Sequence, residues 1–228
     1  MEGLAELGRT LSVWLLPVLL AITLHEAAHG WVADKLGDDT ARRLGRVTAN
    51  PLKHVDPFGT FLLPGLLILL KSPFVFGWAK PVPVAFHRLR EPKRDMVLVA
   101  AAGPAVNILQ AVIAAWVMHL TDLPPAWLGA WLHQNLNNAV IANVFLAAFN
   151  LLPLPPLDGG RIVTGLLPGP LAWRFARIER LGLLILLAVA VLVPLVAEQF
   201  GYAFNPLLFL LLPLADLLFE LVLRLGFW

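Results

Sequence analysis

The chain reads as an all-α polytopic membrane protein of about five to six transmembrane helices, with a re-entrant, partly β segment between its first two long spans. Three observations carry this expectation. Of the 228 residues, 59% are hydrophobic and only 14% charged, too little polarity to cover the outside of a soluble domain. Stretches such as Leu181–Ala197 and Leu207–Leu223 are apolar all round, where a surface helix would carry one apolar stripe. Arg and Lys gather between these runs, as the positive-inside rule expects of cytoplasmic loops.

Taken in order, helical spans are expected at about 11–35, 95–119, 136–157, 181–198 and 205–225. The N-terminal decapeptide MEGLAELGRT is acidic and lacks a basic region followed by a small-residue cleavage site, so the first run reads as a retained span. Residues 36–94 differ in kind. Gly37, Gly45, Pro51, Pro57, Gly59, Pro64, Gly65, Pro73, Gly77, Pro81 and Pro83 break any regular helix, and the apolar centre, Phe61 to Leu70, is short for a crossing. Arg42, Arg43, Arg46 and Lys53 precede it, and Arg88, Arg90, Lys93 and Arg94 follow it. With both flanks cytoplasmic the segment dips and returns; a true short span over 60–76 is the alternative. Arg161, Arg174, Arg177 and Arg180 then also lie inside, while the loops 120–135 and 199–204, free of Lys and Arg, face outward. Trp127 and Trp131 beside Pro124 and Pro125 read as an outer interfacial belt. The whole of 1–228 is expected to be one membrane domain, 36–94 being its insertion and 181–228 two C-terminal spans.

The net charge of +2, with basic residues confined between spans, reads as topology and not as a nucleic-acid surface. Without cysteine there is no thiolate ligand, disulfide or cysteine nucleophile, so any bound metal must take His and carboxylate. His25-Glu26-Ala27-Ala28-His29 ends the apolar run Leu11 to Leu24. Residues four apart share a helix face, so His25 and His29 can hold one Zn²⁺ while Glu26 lies beside the water that the metal activates. Catalytic zinc takes three protein ligands. The third candidate is Asp158, in Asn150-Leu-Leu-Pro-Leu-Pro-Pro-Leu-Asp158-Gly159-Gly160, since a carboxylate near a membrane span is costly unless it has a cation. Asn107 and Asn150 are candidates for binding substrate backbone or the developing oxyanion, the other reading being glue between helices. His54 could approach the metal or orient a ligand, or be a turn histidine bonded to nearby backbone. Gly77 to Val84 has the look of an edge strand, beside which an extended substrate could add by β-augmentation.

Through HEAAH and the later NLLPLPPLDGG the chain resembles the site-2 protease family of intramembrane zinc metalloproteases. Ala102-Gly103-Pro104-Ala105-Val106-Asn107 belongs to the same resemblance, which runs from the first span to about Leu167. It implies one zinc ion per chain on His25, His29 and Asp158, with Glu26 as general base. It also implies substrates that are transmembrane proteins or peptides, cut within or near the bilayer, and leaves no room for a PDZ insertion or CBS appendage. The expected activity is intramembrane endopeptidase; a membrane zinc transporter and an inactive peptide-binding scaffold are the rivals. Transport would ask for ligands along a path and for repeated halves, and a scaffold has no need of Glu26. A protease using Glu179 or Glu220 as third ligand is a further variant. The expected setting is a prokaryotic cell membrane, crossed several times, with the site toward the cytoplasm.

Overall fold

A computed structural model describes residues 2–69, 77, 79–202 and 204–226. Its helices are α1 (Glu2–Lys35), α2 (Thr40–Arg43), α3 (Leu63–Leu69), α4 (Pro92–Met118), α5 (Ala126–Leu151), α6 (Asp158–Leu166), α7 (Gly169–Leu187), α8 (Val193–Gln199) and α9 (Pro206–Leu225). A π-helical turn, Pro57–Leu62, leads into α3, and another, Ala188–Leu192, joins α7 to α8. Four helices among the described residues are long and apolar enough to cross a membrane: Ala5–Lys35, Pro92–Met118, Leu181–Gln199 and Pro206–Leu225.

The span expected over 136–157 falls on α5, which is not among these four; it is 26 residues long and packs in the middle of the bundle against α1, α4 and α9. Its buried side includes Asn135, Asn138 and Asn143 as well as Val144, Ala147 and Ala148. The asparagines lower its hydropathy, and each bonds inside the protein: Asn138 Nδ2 donates to the Val13 carbonyl of α1 at 3.0 Å, for instance. Where α4, α5 and α9 meet, small residues dominate the core, with Ala111, Ala115, Ala147, Ala148 and Ala215 all nearly inaccessible. Small side chains let helix backbones approach closely, and this is the main source of packing between helices in lipid.

The helix expected over 136–157 stops at Leu151. Pro153, Pro155 and Pro156 cannot continue it, and the chain restarts at Asp158 as α6. The run 181–198 begins earlier than expected, because α7 starts at Gly169 and carries the basic residues Arg174 and Arg177 into the same helix. Arg177 lies over the exposed Trp173 ring, 3.8 Å from its centroid, an arrangement suited to a membrane interface.

Segment 36–94 corrects one expectation. No β-strand forms among the described residues. Residues 79–85, the strap, form neither helix nor strand, and their donors go elsewhere: Lys80 N–H to the His54 carbonyl at 2.8 Å, Val82 N–H to Glu26 Oε2 at 2.7 Å and Ala85 N–H to Asp38 Oδ2 at 2.6 Å. Pro81 and Pro83 have no N–H to offer, so a ladder has too few rungs. Residues 70–76 and Trp78, on which the expected re-entrant turn and the start of the edge strand fall, lie outside the described residues.

The strap is pinned by a buried carboxylate. Asp38, fully enclosed, accepts from the Thr40 amide at 3.1 Å, the Thr40 hydroxyl and the Ala85 amide. Burial by itself pushes its pKa up, but these donors and the nearby Arg88 outweigh it and hold the carboxyl below its ordinary value.

Candidate metal centre

The site forms where α1, α4 and the break between α5 and α6 converge. His25 and His29, one helical turn apart on α1, direct their Nε2 atoms to the same point, 3.1 Å from each other. Asp158, the first residue of α6, brings Oδ2 to 3.2 Å from both. Gly159 and Gly160 permit this placement. A Cβ on Gly160 would lie 2.5 Å from Pro155 N and 2.8 Å from the Leu154 carbonyl carbon, so only glycine lets α6 fold back onto the broken end of α5.

Behind the histidines, α4 supplies both their orienting contacts. Val99 carbonyl accepts from His29 Nδ1 at 2.7 Å, and Asn107 Oδ1 lies 2.5 Å from His25 Nδ1. With protons held at Nδ1, both Nε2 atoms present lone pairs. Asp158 Oδ2, buried, makes no hydrogen bond of its own. Three buried lone-pair-bearing atoms thus face one another, an arrangement that repels itself unless a cation joins them. Zinc bonds of about 2.0–2.2 Å in a tetrahedron hold neighbouring ligand atoms about 3.3–3.6 Å apart, within a few tenths of an ångström of the spacing here. Among the described residues, His25, His29 and Asp158 form a group of His and acidic residues whose ligand atoms all lie within 4.8 Å of one another. They fit a zinc ion.

Gly103, on the face of α4 that touches the site, has no room for a side chain. An added Cβ would come within 2.5 Å of His29 Nε2 and 2.6 Å of His25 Nε2. Glu26 is on the adjoining face of α1, its Oε2 held by the Val82 amide of the strap. Val82 itself packs down on α1, where a Cβ on Gly30 would meet its Cγ1 at 3.0 Å.

The remaining candidates separate. Asn107 is fully buried, its amide nitrogen donating to the Ala21 carbonyl at 3.1 Å and to Asn143 Oδ1 at 2.7 Å. With its oxygen on His25, this side chain has its hydrogen bonds within the protein, on the Nδ1 side of that ring. His54 is also buried, its Nε2 3.1 Å from the Thr48 carbonyl and its own carbonyl taken by Lys80 N–H, and it is not one of the converging ligands. Burial and the charge of Arg46 lower its pKa against the pull of the Thr48 carbonyl. Asn150 sits half-buried on the last turn of α5, its amide donating to the Leu146 carbonyl at 3.0 Å. Glu179 pairs with Arg161 at 3.2 Å and Glu220 with Arg224 at 3.4 Å, both exposed and away from the histidines. Reading motifs alone passed over Asn143 and the Val82 amide. A polar residue within an apolar helix was the available signal for the first; nothing in the sequence marks the second.

A polytopic helical bundle with a buried His, His and Asp ligand set, beside a glutamate on the same helix, defines the class of a membrane metallohydrolase. Residues 126–193 match the profile of Peptidase family M50. The chain is 39% identical over 181 residues to "Putative zinc metalloprotease YwhC" of Bacillus subtilis, an alignment covering 78% of this chain and 79% of that protein. It is 33% identical over 143 residues to "Putative zinc metalloprotease Rip2" of Mycolicibacterium smegmatis, covering 62% of this chain and 52% of that one. Against "Putative zinc metalloprotease MJ0611" of Methanocaldococcus jannaschii it is 28% identical over 176 residues, covering 74% and 76%. No solved structure gives a significant match. The chain belongs to peptidase family M50, the site-2 protease family, and so to the metallopeptidases. Its apolar helices make it a multi-pass membrane protein.

Proposed function

We propose that the chain is an intramembrane zinc endopeptidase in which His25, His29 and Asp158 hold one zinc ion and Glu26 is the general base. One observation carries the reading: three buried ligand atoms, 3.1–3.2 Å apart, converge on a point and Asp158 Oδ2 lacks any hydrogen bond. Bound there, zinc supplies a Lewis acid that polarises the scissile carbonyl and makes water nucleophilic near neutral pH.

The chain's own residues do the rest. Glu26 takes the proton of the attacking water and returns it to the leaving amine, general acid–base work that commonly contributes about 10² to 10⁴ in rate. The Val82 amide fixes the carboxylate on Oε2, leaving the other oxygen for proton transfer. Asn150 is assigned contact with substrate backbone, a role supported by its half-buried position on the last turn of α5 beside the helix break. A substrate helix must unwind to expose a carbonyl otherwise locked in an i to i−4 bond. Support for β-augmentation is reduced, because the strap from Lys80 to Ala85 already spends amides on His54, Glu26 and Asp38. The substrate class is membrane-spanning proteins or peptides, reached from the cytoplasmic side of a prokaryotic cell membrane, with α5 as the fifth span; the Arg-rich connections support that orientation.

The test is cleavage of a model transmembrane substrate by purified protein in liposomes, comparing wild type with Glu26→Gln at equal zinc content. Cleavage by wild type alone is expected. Equal cleavage by both removes Glu26 as base, and zinc flux through the same liposomes without cleavage would replace the peptidase with a transporter.

A further inference from the structure

The two histidines are oriented by acceptors of different kinds. His29 Nδ1 faces the Val99 carbonyl, an atom that can only accept, so its proton position is set by backbone. His25 Nδ1 faces Asn107, a side-chain amide with one accepting end and one donating end. Were that amide turned over, its nitrogen would meet His25 Nδ1, the proton would move to Nε2 and the lone pair directed at Asp158 would be lost. Something must hold the amide in the productive sense.

That restraint can be traced to α5. Asn143 Nδ2 donates to the Ala139 carbonyl at 2.9 Å, which fixes Asn143 with its oxygen toward α4. Asn143 Oδ1 then accepts from Asn107 Nδ2 at 2.7 Å, shorter than the 3.1 Å bond from the same nitrogen to Ala21. With its nitrogen committed twice, Asn107 can present only oxygen to His25. We infer that Asn143 is a positioning residue of the metal centre: through a directed relay Ala139 to Asn143 to Asn107 it sets the proton of His25 on Nδ1 and leaves Nε2 for zinc. Asn143 touches no ligand, and both asparagines are enclosed, at 2% and 0% exposure, so water cannot substitute for a missing partner. The rival account is that Asn143 merely glues helices. Asn138 is the internal comparison: buried on the same helix, it donates to Val13 of α1 at 3.0 Å with no path to His25.

The inference rests on the zinc reading, and the experiment separates the two. Zinc affinity of the purified full chain in detergent is measured by chelator competition, and histidine ring ¹⁵N spectra of the metal-free protein report where each proton sits. Asn143→Leu is expected to weaken zinc about tenfold, the effect usual for an outer partner of a ligand, and to give a mixture of Nδ1–H and Nε2–H tautomers at His25. Asn138→Leu should change affinity less than about twofold, because its bond leads to no ligand. In an Asn107→Asp background the cost of Asn143→Leu should vanish, since a carboxylate accepts at both ends and has no wrong orientation. Asn143→Ala carries the same comparison if the leucine variant does not fold. Equal losses for the Asn143 and Asn138 variants, or a loss that persists in the Asn107→Asp background, would overturn the relay while leaving the zinc site standing. Absence of zinc binding by wild type would overturn both.

Discussion

Gly103→Ala should damage the metal centre without touching a ligand. The new methyl carbon would sit 2.5 Å from His29 Nε2 and 2.6 Å from His25 Cε1 and Nε2, about 1 Å inside ordinary contact. Neither ring can simply swing away. His25 is tied to Asn107 and His29 to Val99, all within α4, so relief requires either rotating the imidazoles off those acceptors or pushing α4 from α1. Overpacking of this size costs about 1–3 kcal/mol. Set against the metal-bound state, where the imidazoles have least freedom, that is about 5- to 150-fold in zinc affinity, at 1.4 kcal/mol per decade. Chelator competition on the purified protein reads the change directly, with Gly8→Ala, whose added carbon meets nothing within 4 Å, as the neutral control. Unchanged zinc affinity in Gly103→Ala would refute the claim that α4 packs its backbone directly against the liganding nitrogens.

Further expectations follow from the same geometry. Asp158→Ala should lower zinc affinity by about 100-fold or more, since it removes one of three ligands, whereas Glu26→Gln should retain zinc and lose about 10² to 10⁴ in turnover; metal analysis and liposome cleavage read the two effects. Full zinc occupancy in Asp158→Ala would strike Asp158 from the ligand set. Val82→Pro deletes the amide that holds Glu26 in a segment whose neighbours are already prolines, and should reduce kcat about tenfold with zinc content unchanged; a faster enzyme would instead show that the strap restrains the base. Asp38→Asn should lower the thermal midpoint of the metal-free protein, because an amide has one oxygen where the carboxylate uses two to accept from Thr40 and Ala85, and it loses the charge that faces Arg88 at 3.8 Å. The carboxyl's folded pKa lies below its ordinary value of 3.8, so its contribution is present above that value and lost as pH falls through the lowered one. Wild type should therefore lose its advantage over Asp38→Asn in thermal melts below about pH 3.8, and an advantage unchanged there would contradict the assignment.

Much of this site was legible because its chemistry is local or nearly so. His25, Glu26 and His29 share a helix, and helical period alone puts the two imidazoles on one face. Asp158 could be singled out because prolines and glycines crowd around a carboxylate that lipid would penalise. The break before Asp158 was visible in Pro153, Pro155, Pro156 and the two glycines, though its start at Leu151 was not, since α1, α4 and α9 each carry a proline without ending. Asn107 was visible as a polar residue in a span, but its role was not: glue, substrate contact and ligand support look alike until its partners are known. Among the described residues the expected strands do not form, because two prolines in a short run say nothing of where the remaining amides go.

Composition, periodicity and breakers by themselves determined a membrane-spanning helical chain with a His, Glu and His cluster on its first long helix and an aspartate at a broken one. Those are properties of the backbone's covalent limits and of lipid's intolerance of unpaired polar groups. Tertiary structure alone decided that Gly103 lies against the Nε2 atoms of both histidines, that Asn143 stands behind Asn107, and that Val82 reaches Glu26 from 56 residues away. Such contacts depend on how α1, α4, α5 and the strap meet in space, and hydrogen bonds between residues far apart in the chain leave no period to read.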